Sequence, residues 1–252
     1  MRALVFYPVV ILATLALGTP IAVVTLLGRH IAPGTFFARA PGLWCRIILR
    51  MSGVRVVVHG AEHMAHDDAA VYVGNHVSWF DVFALGMVLP SFRFLAKKEL
   101  ASLPVFGRAV KEVAAIFIDR KNRRAAFDAY ADAAKQIQAG TSVVVYPEGT
   151  RGRSYALRPF KKGPFVLAIA AQVPIVPVII HGTREIQGKG ELAVHAGTAE
   201  LTFLEPVPTT GLAYDDRDRL MQIVWQRMAS ALESRYGVHS EGSAIDTAPS
   251  AA

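Results

Sequence analysis

Short apolar runs alternate with longer amphipathic or Ala-rich stretches over most of this chain. The apolar runs have the length and composition of buried strands and fall at residues 54–58, 69–73, 92–96, 115–118, 142–146, 175–180 and 199–203. The stretches between and after them predict helices at residues 79–89, 124–139, 165–171 and 215–236. This alternation predicts an α/β domain over residues 54–239, with a mostly parallel sheet flanked by helices.

An uninterrupted apolar stretch precedes this domain. Residues 3–28 include no charged side chain, and a helix of that length can cross a hydrocarbon core of about 30 Å. Pro8 and the segment 18–20 interrupt the pattern, so a kinked single span and a hairpin dipping into one leaflet both fit. The stretch is longer than the apolar part of a secretory signal peptide. We therefore predict membrane attachment.

The segments on either side of the α/β domain differ in composition, and we predict a different role for each. Residues 35–53 mix aromatic, aliphatic and arginine side chains. Such a segment either lies in the membrane interface with Trp44 at the headgroups, or packs on the domain as an ordinary amphipathic helix. Residues 1–53 are thus predicted to be a membrane-anchoring region with interfacial helices. The small, polar segment 240–252 is predicted to be a disordered tail.

Charge narrows the choice of partners. The net charge is +7 and the isoelectric point is about 9.7, with basic residues concentrated at 93–124 and 151–162. Next to an apolar N-terminus, this favours a membrane lipid surface or a phosphorylated substrate. No nucleic-acid-binding module is recognisable, so nucleic acid is not expected as a partner. Cys45, the only cysteine, is predicted to be a small buried apolar residue.

The candidate chemistry begins directly after the second apolar run. His76 and Asp81 are five residues apart and would point away from each other on one continuous helix. If His76 lies in the turn before a helix capped by Ser78, its imidazole can fold back onto Asp81. A carboxylate that orients an imidazole is the usual device for taking a proton from an alcohol near neutral pH. We therefore predict that His76 is a general base oriented by Asp81.

These residues also carry a family resemblance. The pattern Asn75-His76-x-Ser78-x-x-Asp81 resembles the first motif of the glycerolipid acyltransferases, the family of 1-acyl-sn-glycerol-3-phosphate acyltransferases. Residues 116–120, 146–151 and 173–178 are similar to the second, third and fourth motifs, in order and spacing. Segments 94–100 and 159–163 are similar to further family segments. The resemblance covers roughly residues 54–208.

The resemblance implies a function and a mechanism. His76 would deprotonate the sn-2 hydroxyl of lysophosphatidic acid, which would attack the thioester of an acyl-carrier-protein or coenzyme A donor to give phosphatidic acid. No covalent enzyme intermediate, metal or other cofactor is needed. Because such donors are cytoplasmic, the implied location is the inner cell membrane, with the catalytic domain facing the cytoplasm.

The resemblance also implies a substrate-binding set. Its predicted members are Lys97, Arg120, Glu148, Gly149, Thr150 and Arg151. The arginines would bind the phosphate, and Gly149 would let the backbone approach the ligand. Glu148 would orient an arginine or contact a glycerol hydroxyl, and Thr150 would contact phosphate or form the turn. Lys97 or backbone N–H groups would stabilise the oxyanion.

Some positions depart from the family pattern, and other functions stay open. Ala114 replaces the usual Gly of the second motif, Tyr146 the usual Phe of the third, and Gly152 stands where Ser is frequent. One alternative function is acylation of another lysolipid, such as a lyso-ornithine lipid or a lysophospholipid. Another is non-catalytic binding of anionic lipid, which the intact pair of His76 and Asp81 disfavours.

Overall fold

A computed structural model describes residues 3–29, 31, 35–65, 69–103, 105–118 and 123–245. Its helices are α1 Ala3–Leu26, α2 Phe36–Ser52, α3 Phe80–Val88, α4 Phe106–Val113, α5 Arg123–Gln138, α6 Gly163–Ala171, α7 Thr183–Ile186 and α8 Arg217–Tyr236. Its strands are β1 Val54–His59, β2 Val71–Gly74, β3 Phe92–Lys97, β4 Ala115–Ile118, β5 Ser142–Val145, β6 Ile175–His181 and β7 Gly197–Phe203. Short 3-10 turns lie at Ala61–His63, Lys98–Ser102 and Tyr214–Asp216.

The described strands form one sheet in the order β1-β7-β6-β2-β5-β3-β4. Every neighbouring pair is parallel except β6 and β7, which run antiparallel. The predicted α/β class with a mostly parallel sheet is therefore confirmed. Each predicted strand is present, whereas the short helices α4 and α7 were not predicted.

The sheet separates two apolar cores. Successive strand residues point to opposite faces, so Val71 and Val73 join the core beneath α5, α6 and α8, while Tyr72 joins the other. The second core holds residues of α2 and α3, together with Phe6 of α1. Strands β2 and β5 are buried at every position, which explains why they appear in the sequence as unbroken apolar runs.

Helix α1 is continuous from Ala3 to Leu26, with Pro8 and Pro20 inside it. A hairpin folded within this stretch, one of the two predicted forms, is therefore not what the structure shows. Its residues Leu4–Leu26 are long and apolar enough to cross a membrane. One face of the helix packs on the domain, and the opposite face leaves large apolar side chains uncovered. Those on the uncovered face include Leu4, Val5, Ile11, Leu12, Leu15, Val23 and Leu26.

Helix α2 packs on the domain, as the second interpretation of residues 35–53 predicted. Cys45, Ile48 and Leu49 are buried in the core it shares with α3, and burial raises the pKa of the Cys45 thiol. Trp44 was predicted at the lipid headgroups in the interfacial interpretation, and this placement stays a prediction. Its indole donates to the Thr14 hydroxyl of α1, at 3.1 Å. This contact joins α2 to α1.

The first part of the predicted disordered tail is ordered. The Ser240 hydroxyl accepts a hydrogen bond from the backbone N–H of Leu157, and the carbonyl of Ala244 accepts one from Phe160. Ala244 is also fully buried in the core beneath α8. Small polar composition was misleading here because these residues complete backbone hydrogen bonds of a neighbouring loop. Residues 246–252 lie outside the described part of the chain.

Candidate active site

Three loops meet at one edge of the sheet. Strand β2 pairs with β5 on one side and with β6 on the other, all parallel. Their carboxyl ends therefore lie together, and this is where α/β sheets gather ligand-binding groups. The loops after these strands hold residues 75–79, 146–151 and 182–187. The sheet order thus brings the first and third motifs side by side.

The predicted contact between His76 and Asp81 is present. The Nδ1 atom of His76 lies 2.7 Å from Oδ2 of Asp81, which is fully buried. Helix α3 begins at Phe80, so Asp81 lies in its first turn. Trp79 holds the cap position that was predicted for Ser78. The Ser78 hydroxyl nevertheless accepts the N–H of Phe80 at 3.1 Å.

The carboxylate of Asp81 is fully engaged by protein donors. Its Oδ2 also accepts the backbone N–H groups of Val77 at 2.7 Å and Ser78 at 2.8 Å. Its Oδ1 accepts the hydroxyl of Thr183, the first residue of α7, at 2.5 Å. Because two backbone N–H groups also point at it, Oδ2 is an acceptor, and Nδ1 of His76 therefore donates its N–H to it.

The ring of His76 is held from one side by an aromatic face. Tyr146 stacks on it with ring centroids 4.0 Å apart and planes 14° from parallel. The side chain of His76 keeps 14% of its surface exposed. Within the described part of the chain, no protein group bonds its Nε2. Nε2 is therefore the basic atom that a substrate hydroxyl can approach.

Tyr146 brings a hydroxyl to the first position of the third motif, where the family that the sequence resembles usually has Phe. This hydroxyl is buried and has no hydrogen-bond partner among the described residues. Burial, and then the negative charge of Asp81, raise the pKa of Tyr146 well above its usual value. The phenol is thus neutral, and its ring serves as a wall for the imidazole.

Asn75 fixes the start of the catalytic turn. Its side-chain amide donates to the carbonyl of Ile180 at 2.9 Å and accepts the N–H of Ile180 at 2.8 Å. The side chain is buried, and it continues the pairing of β2 with β6 where the backbone of β2 turns away. His76 therefore leaves the sheet from a defined point.

Glu148 links the first motif to the third. Its Oε1 accepts the backbone N–H of His76 at 3.1 Å, and its Oε2 accepts Nε of Arg158 at 2.7 Å. Burial raises the pKa of Glu148, while the guanidinium of Arg158 and the His76 N–H lower it in part. Of the two predicted roles, orientation of an arginine fits this arrangement. Both carboxylate oxygens are occupied by protein donors, which disfavours direct contact with a glycerol hydroxyl.

Arg151 lies beside the catalytic turn. Its guanidinium carbon stands 5.2 Å from the centre of the Trp79 ring, a cation–π arrangement. Burial lowers the pKa of Arg151, and the charge of Asp81 opposes that shift. Gly149 adopts φ +77°, a conformation that favours glycine. Thr150 is exposed, and its carbonyl accepts a hydrogen bond from Arg158.

Two predicted binding groups fall outside the part of the chain that the structure describes. Arg120 lies outside the described residues, and so does the side chain of Lys97. Strand β4, which precedes Arg120, lies two strands from β5 in the sheet, about 10 Å away at the usual strand spacing. Its carboxyl end points to the same edge of the sheet as that of β5.

Several backbone N–H groups near His76 are already bonded within the protein. Val77 and Ser78 donate to Asp81, Gly149 donates to the carbonyl of Tyr146, and Gly152 donates to that of His76. These groups are therefore engaged in holding the two turns. In the part of the chain that the structure describes, no cluster of three or more His, Cys, Asp or Glu side chains is arranged to hold a metal ion.

Sequence reasoning missed two residues of this site. Arg158 was predicted only as one of the basic residues concentrated at 151–162, and the structure pairs it with Glu148. Thr183 gave no signal, because it lies more than a hundred residues from Asp81. Only the pairing of β6 with β2 brings them together.

Comparison with known proteins agrees with this geometry. The model of the Acyltransferase family matches residues 55–181. A segment of 166 residues, 65% of this chain, is 38% identical to 1-acyl-sn-glycerol-3-phosphate acyltransferase alpha of sheep and of human. It spans only 58% and 59% of the length of those two proteins.

A solved structure extends the likeness to nearly the whole chain. It is the crystal structure of the 1-acyl-sn-glycerophosphate (LPA) acyltransferase, PlsC, from Thermotoga maritima. The TM-score is 0.68 at 25% sequence identity, over 94% of this chain and 99% of that one. The family match includes both His76 and Asp81 and runs from β1 to the end of β6. The chain belongs to the Acyltransferase family.

Proposed function

We propose that this protein is an O-acyltransferase that transfers a fatty acyl group to the sn-2 hydroxyl of lysophosphatidic acid, giving phosphatidic acid. The observation that carries this proposal is the 2.7 Å contact between His76 and the buried Asp81, which makes Nε2 of His76 a general base at the sheet edge. The names of the sheep, human and Thermotoga maritima relatives support the choice of acceptor.

The reaction follows from the orientation of the imidazole. Nε2 of His76 takes the proton of the acceptor hydroxyl as its oxygen attacks the thioester carbonyl. Asp81, bonded to the Nδ1–H, stabilises the resulting imidazolium. The tetrahedral intermediate then collapses, the carbon–sulfur bond breaks, and the thiolate receives the proton from Nε2. The products are the new ester and a free thiol, and the histidine is ready for another turnover.

Charged groups around His76 have distinct proposed tasks. Arg151 lies next to Trp79 on the catalytic turn, where it can bind the acceptor phosphate with two parallel hydrogen bonds. We assign Arg120 the same task, from its place in the second motif. Arg158 is held by Glu148 and acts on the loop rather than on the substrate. Lys97 and the guanidinium of Arg151 are the candidates to stabilise the oxyanion.

The proposed co-substrate is an acyl thioester of acyl carrier protein or coenzyme A. The thiol leaving group supplies the driving force, and proton transfer by His76 completes the exchange. The proposed chemistry uses no metal and no other cofactor. Exposed basic groups near the site, among them Lys161, suit the negative charge of either donor.

Membrane attachment is the setting that fits the N-terminal helices. Helix α1 contacts the domain from Phe6 to Ile21 and turns a second apolar face outward, and contiguous exposed apolar surface of this kind marks membrane contact. We propose that α1 rests in the inner cell membrane with that face toward lipid. The catalytic domain would then lie on the cytoplasmic side, where the acyl donors are.

The test is thiol release from an acyl donor by the full chain in detergent or lipid. Lysophosphatidic acid, lysophosphatidylcholine and glycerol 3-phosphate would be compared as acceptors. We expect release that depends on lysophosphatidic acid and falls by roughly 10²–10⁴-fold in His76→Ala. His195→Ala is the matched control, because the side chain of His195 is exposed whereas Asp81 is fully buried.

Other results would redirect the assignment. Preference for lysophosphatidylcholine or another lysolipid would keep the histidine chemistry and withdraw the phosphate role of Arg151. Full activity in His76→Ala would contradict the mechanism. A chain that binds anionic lipid but releases no thiol with any acceptor would be a binding protein on an acyltransferase scaffold.

A further inference from the structure

The Oδ1 atom of Asp81 is bonded by a residue from a distant part of the chain. Among the described residues its donor is the hydroxyl of Thr183, at 2.5 Å, and both side chains are fully buried. The other oxygen, Oδ2, accepts three hydrogen bonds, from His76, Val77 and Ser78. The two oxygens are therefore held from opposite sides.

Helix α7 is held against the catalytic turn at two points. Thr183, at its start, donates to Asp81, and the carbonyl of Gln187, directly after its end, accepts the hydroxyl of Ser78 at 2.7 Å. Gly182, just before α7, has φ +81°, and a side chain there would collide with the Thr198 carbonyl of β7. This close backbone approach fixes the position of Thr183 at the start of α7.

We propose that Thr183 is a positioning residue for acyl transfer. Its hydroxyl fixes the plane of the Asp81 carboxylate, so that Oδ2 stays on Nδ1 of His76 and Nε2 stays directed at the acceptor hydroxyl. Without this donor, only the three hydrogen bonds on Oδ2 limit rotation of the carboxylate about its Cβ–Cγ bond, so the orientation of the imidazole is less tightly fixed. The inference rests on the proposed function, because it concerns the same histidine base.

The decisive variant is Thr183→Val, which keeps the shape of the side chain and removes the hydroxyl. We expect kcat to fall about tenfold, the effect of one lost hydrogen bond to a charged group. The KM for the acceptor should stay unchanged, because Thr183 acts through Asp81 and does not touch the substrate. Thr183→Ser, which restores the donor, should return kcat to within about twofold of the original value.

A matched control separates this effect from the loss of any buried threonine hydroxyl. Thr209 is also buried, and its hydroxyl donates to the carbonyls of Ala168 and Val173. It lies near the start of β6, at the opposite edge of the sheet from His76. Thr209→Val should lower thermal stability and leave kcat unchanged.

A double-mutant cycle tests whether Thr183 acts through Asp81. In an Asp81→Asn background, Thr183→Val should cause no further loss of kcat. Unchanged kcat in Thr183→Val alone, a raised KM as its main effect, or no recovery in Thr183→Ser would each overturn the proposal. So would a further, independent tenfold loss in the Asp81→Asn background.

A readout without turnover keeps this test separate from the proposed function. In ¹⁵N-histidine NMR, His76 is identified by the signal lost in a His76→Gln variant. The hydrogen-bonded Nδ1 proton of His76 should be visible in the original chain and in Thr209→Val. It should move or broaden in Thr183→Val, and an unaltered signal there would contradict the inference even if the chain proved inactive.

Discussion

At the scale of single residues, the site depends on two buried carboxylates with different partners. Asp81 accepts hydrogen bonds from an imidazole, a hydroxyl and two backbone N–H groups. Glu148 pairs with a guanidinium and a backbone N–H. In the proposed mechanism the first arrangement serves a proton transfer, and the second holds two loops together. Because Glu148 bonds the backbone N–H of His76, it helps to hold the turn that presents the imidazole to Asp81.

We expect Arg158→Met to destabilise the protein in a pH-dependent way. Burial already raises the pKa of Glu148, and loss of the guanidinium would raise it further. An acid whose pKa is higher in the folded than in the unfolded state lowers stability as pH rises from the unfolded pKa through the folded pKa. Below the unfolded pKa both states hold the proton, and stability is unaffected. Breaking a buried pair costs about 3–5 kcal/mol, and we expect roughly 2 kcal/mol at pH 8, because Arg158 is 39% exposed.

Urea unfolding of Arg158→Met at pH 8 and at pH 5 would measure this. Arg153→Met is the control, since Arg153 is exposed and lies in the same loop. A loss of equal size at both pH values would show that packing, rather than the charge of Glu148, explains the effect.

The contact between His76 and Asp81 could be predicted from sequence because it is local. Five residues, a turn and a helix start suffice to bring these side chains together. The role of Arg158 and the presence of Thr183 could not be predicted, because each depends on loops that follow different strands. Charge alone assigned Arg158 to a basic stretch that suits an anionic partner, whereas the structure pairs it with a buried carboxylate.

At the scale of elements, α1 is part of the scaffold that carries Asp81. The Phe6 ring lies 5.5 Å from Phe80 and 6.4 Å from Phe83, both on α3. The Tyr7 hydroxyl bonds to Leu192 and lies 3.4 Å from the Gln187 amide. The helix that contacts lipid in our proposal therefore also packs against the helix that holds the catalytic carboxylate.

We expect Phe6→Ala to lower stability and activity even where no bilayer is present. Phe6 is 6% exposed, and truncation of a buried Phe costs about 3 kcal/mol or more. The measurement is the thermal midpoint and thiol release in detergent. Leu4→Ala, two residues away and 80% exposed, is the control and should match the original chain. Equal behaviour of the two variants would mean that α1 serves for attachment alone.

The strands were predictable because central strands of a parallel sheet are apolar on both faces, as β2, β5 and β6 are. Helix α7 was not predictable, since four residues are too few for a helical period to show. The order of strands was also beyond reach, because one apolar run does not identify its neighbour. It is this order that brings the third loop of the site to Asp81.

At the scale of the whole molecule, charge and apolar surface act together. The chain has a net charge of +7, and α1 adds an uncovered apolar face. Salt screens the attraction between a basic protein and anionic lipid, whereas it does not screen the burial of apolar surface. The two contributions can therefore be measured separately.

We expect the protein to bind vesicles that contain anionic lipid more strongly than vesicles of phosphatidylcholine alone. Raising the salt concentration should remove most of that difference, while some binding to both kinds of vesicle remains. Leu12→Glu, on the uncovered face of α1, should weaken the residual binding at high salt. Sedimentation with vesicles measures each quantity, and complete release by salt would mean that α1 does not enter the lipid.

The packing of Phe6 on α3 has a consequence for how the acceptor is reached. Drawing an acyl chain out of a bilayer into water costs about 0.8 kcal/mol for each methylene group, so a chain of sixteen carbons would cost on the order of 12 kcal/mol. In our proposal His76, in the turn before α3, lies next to the lipid-facing helix α1, so it meets the acceptor hydroxyl at the membrane surface. In the proposed reaction the acyl chain of the acceptor stays in the bilayer, so the free-energy cost of extracting it does not add to the barrier for turnover.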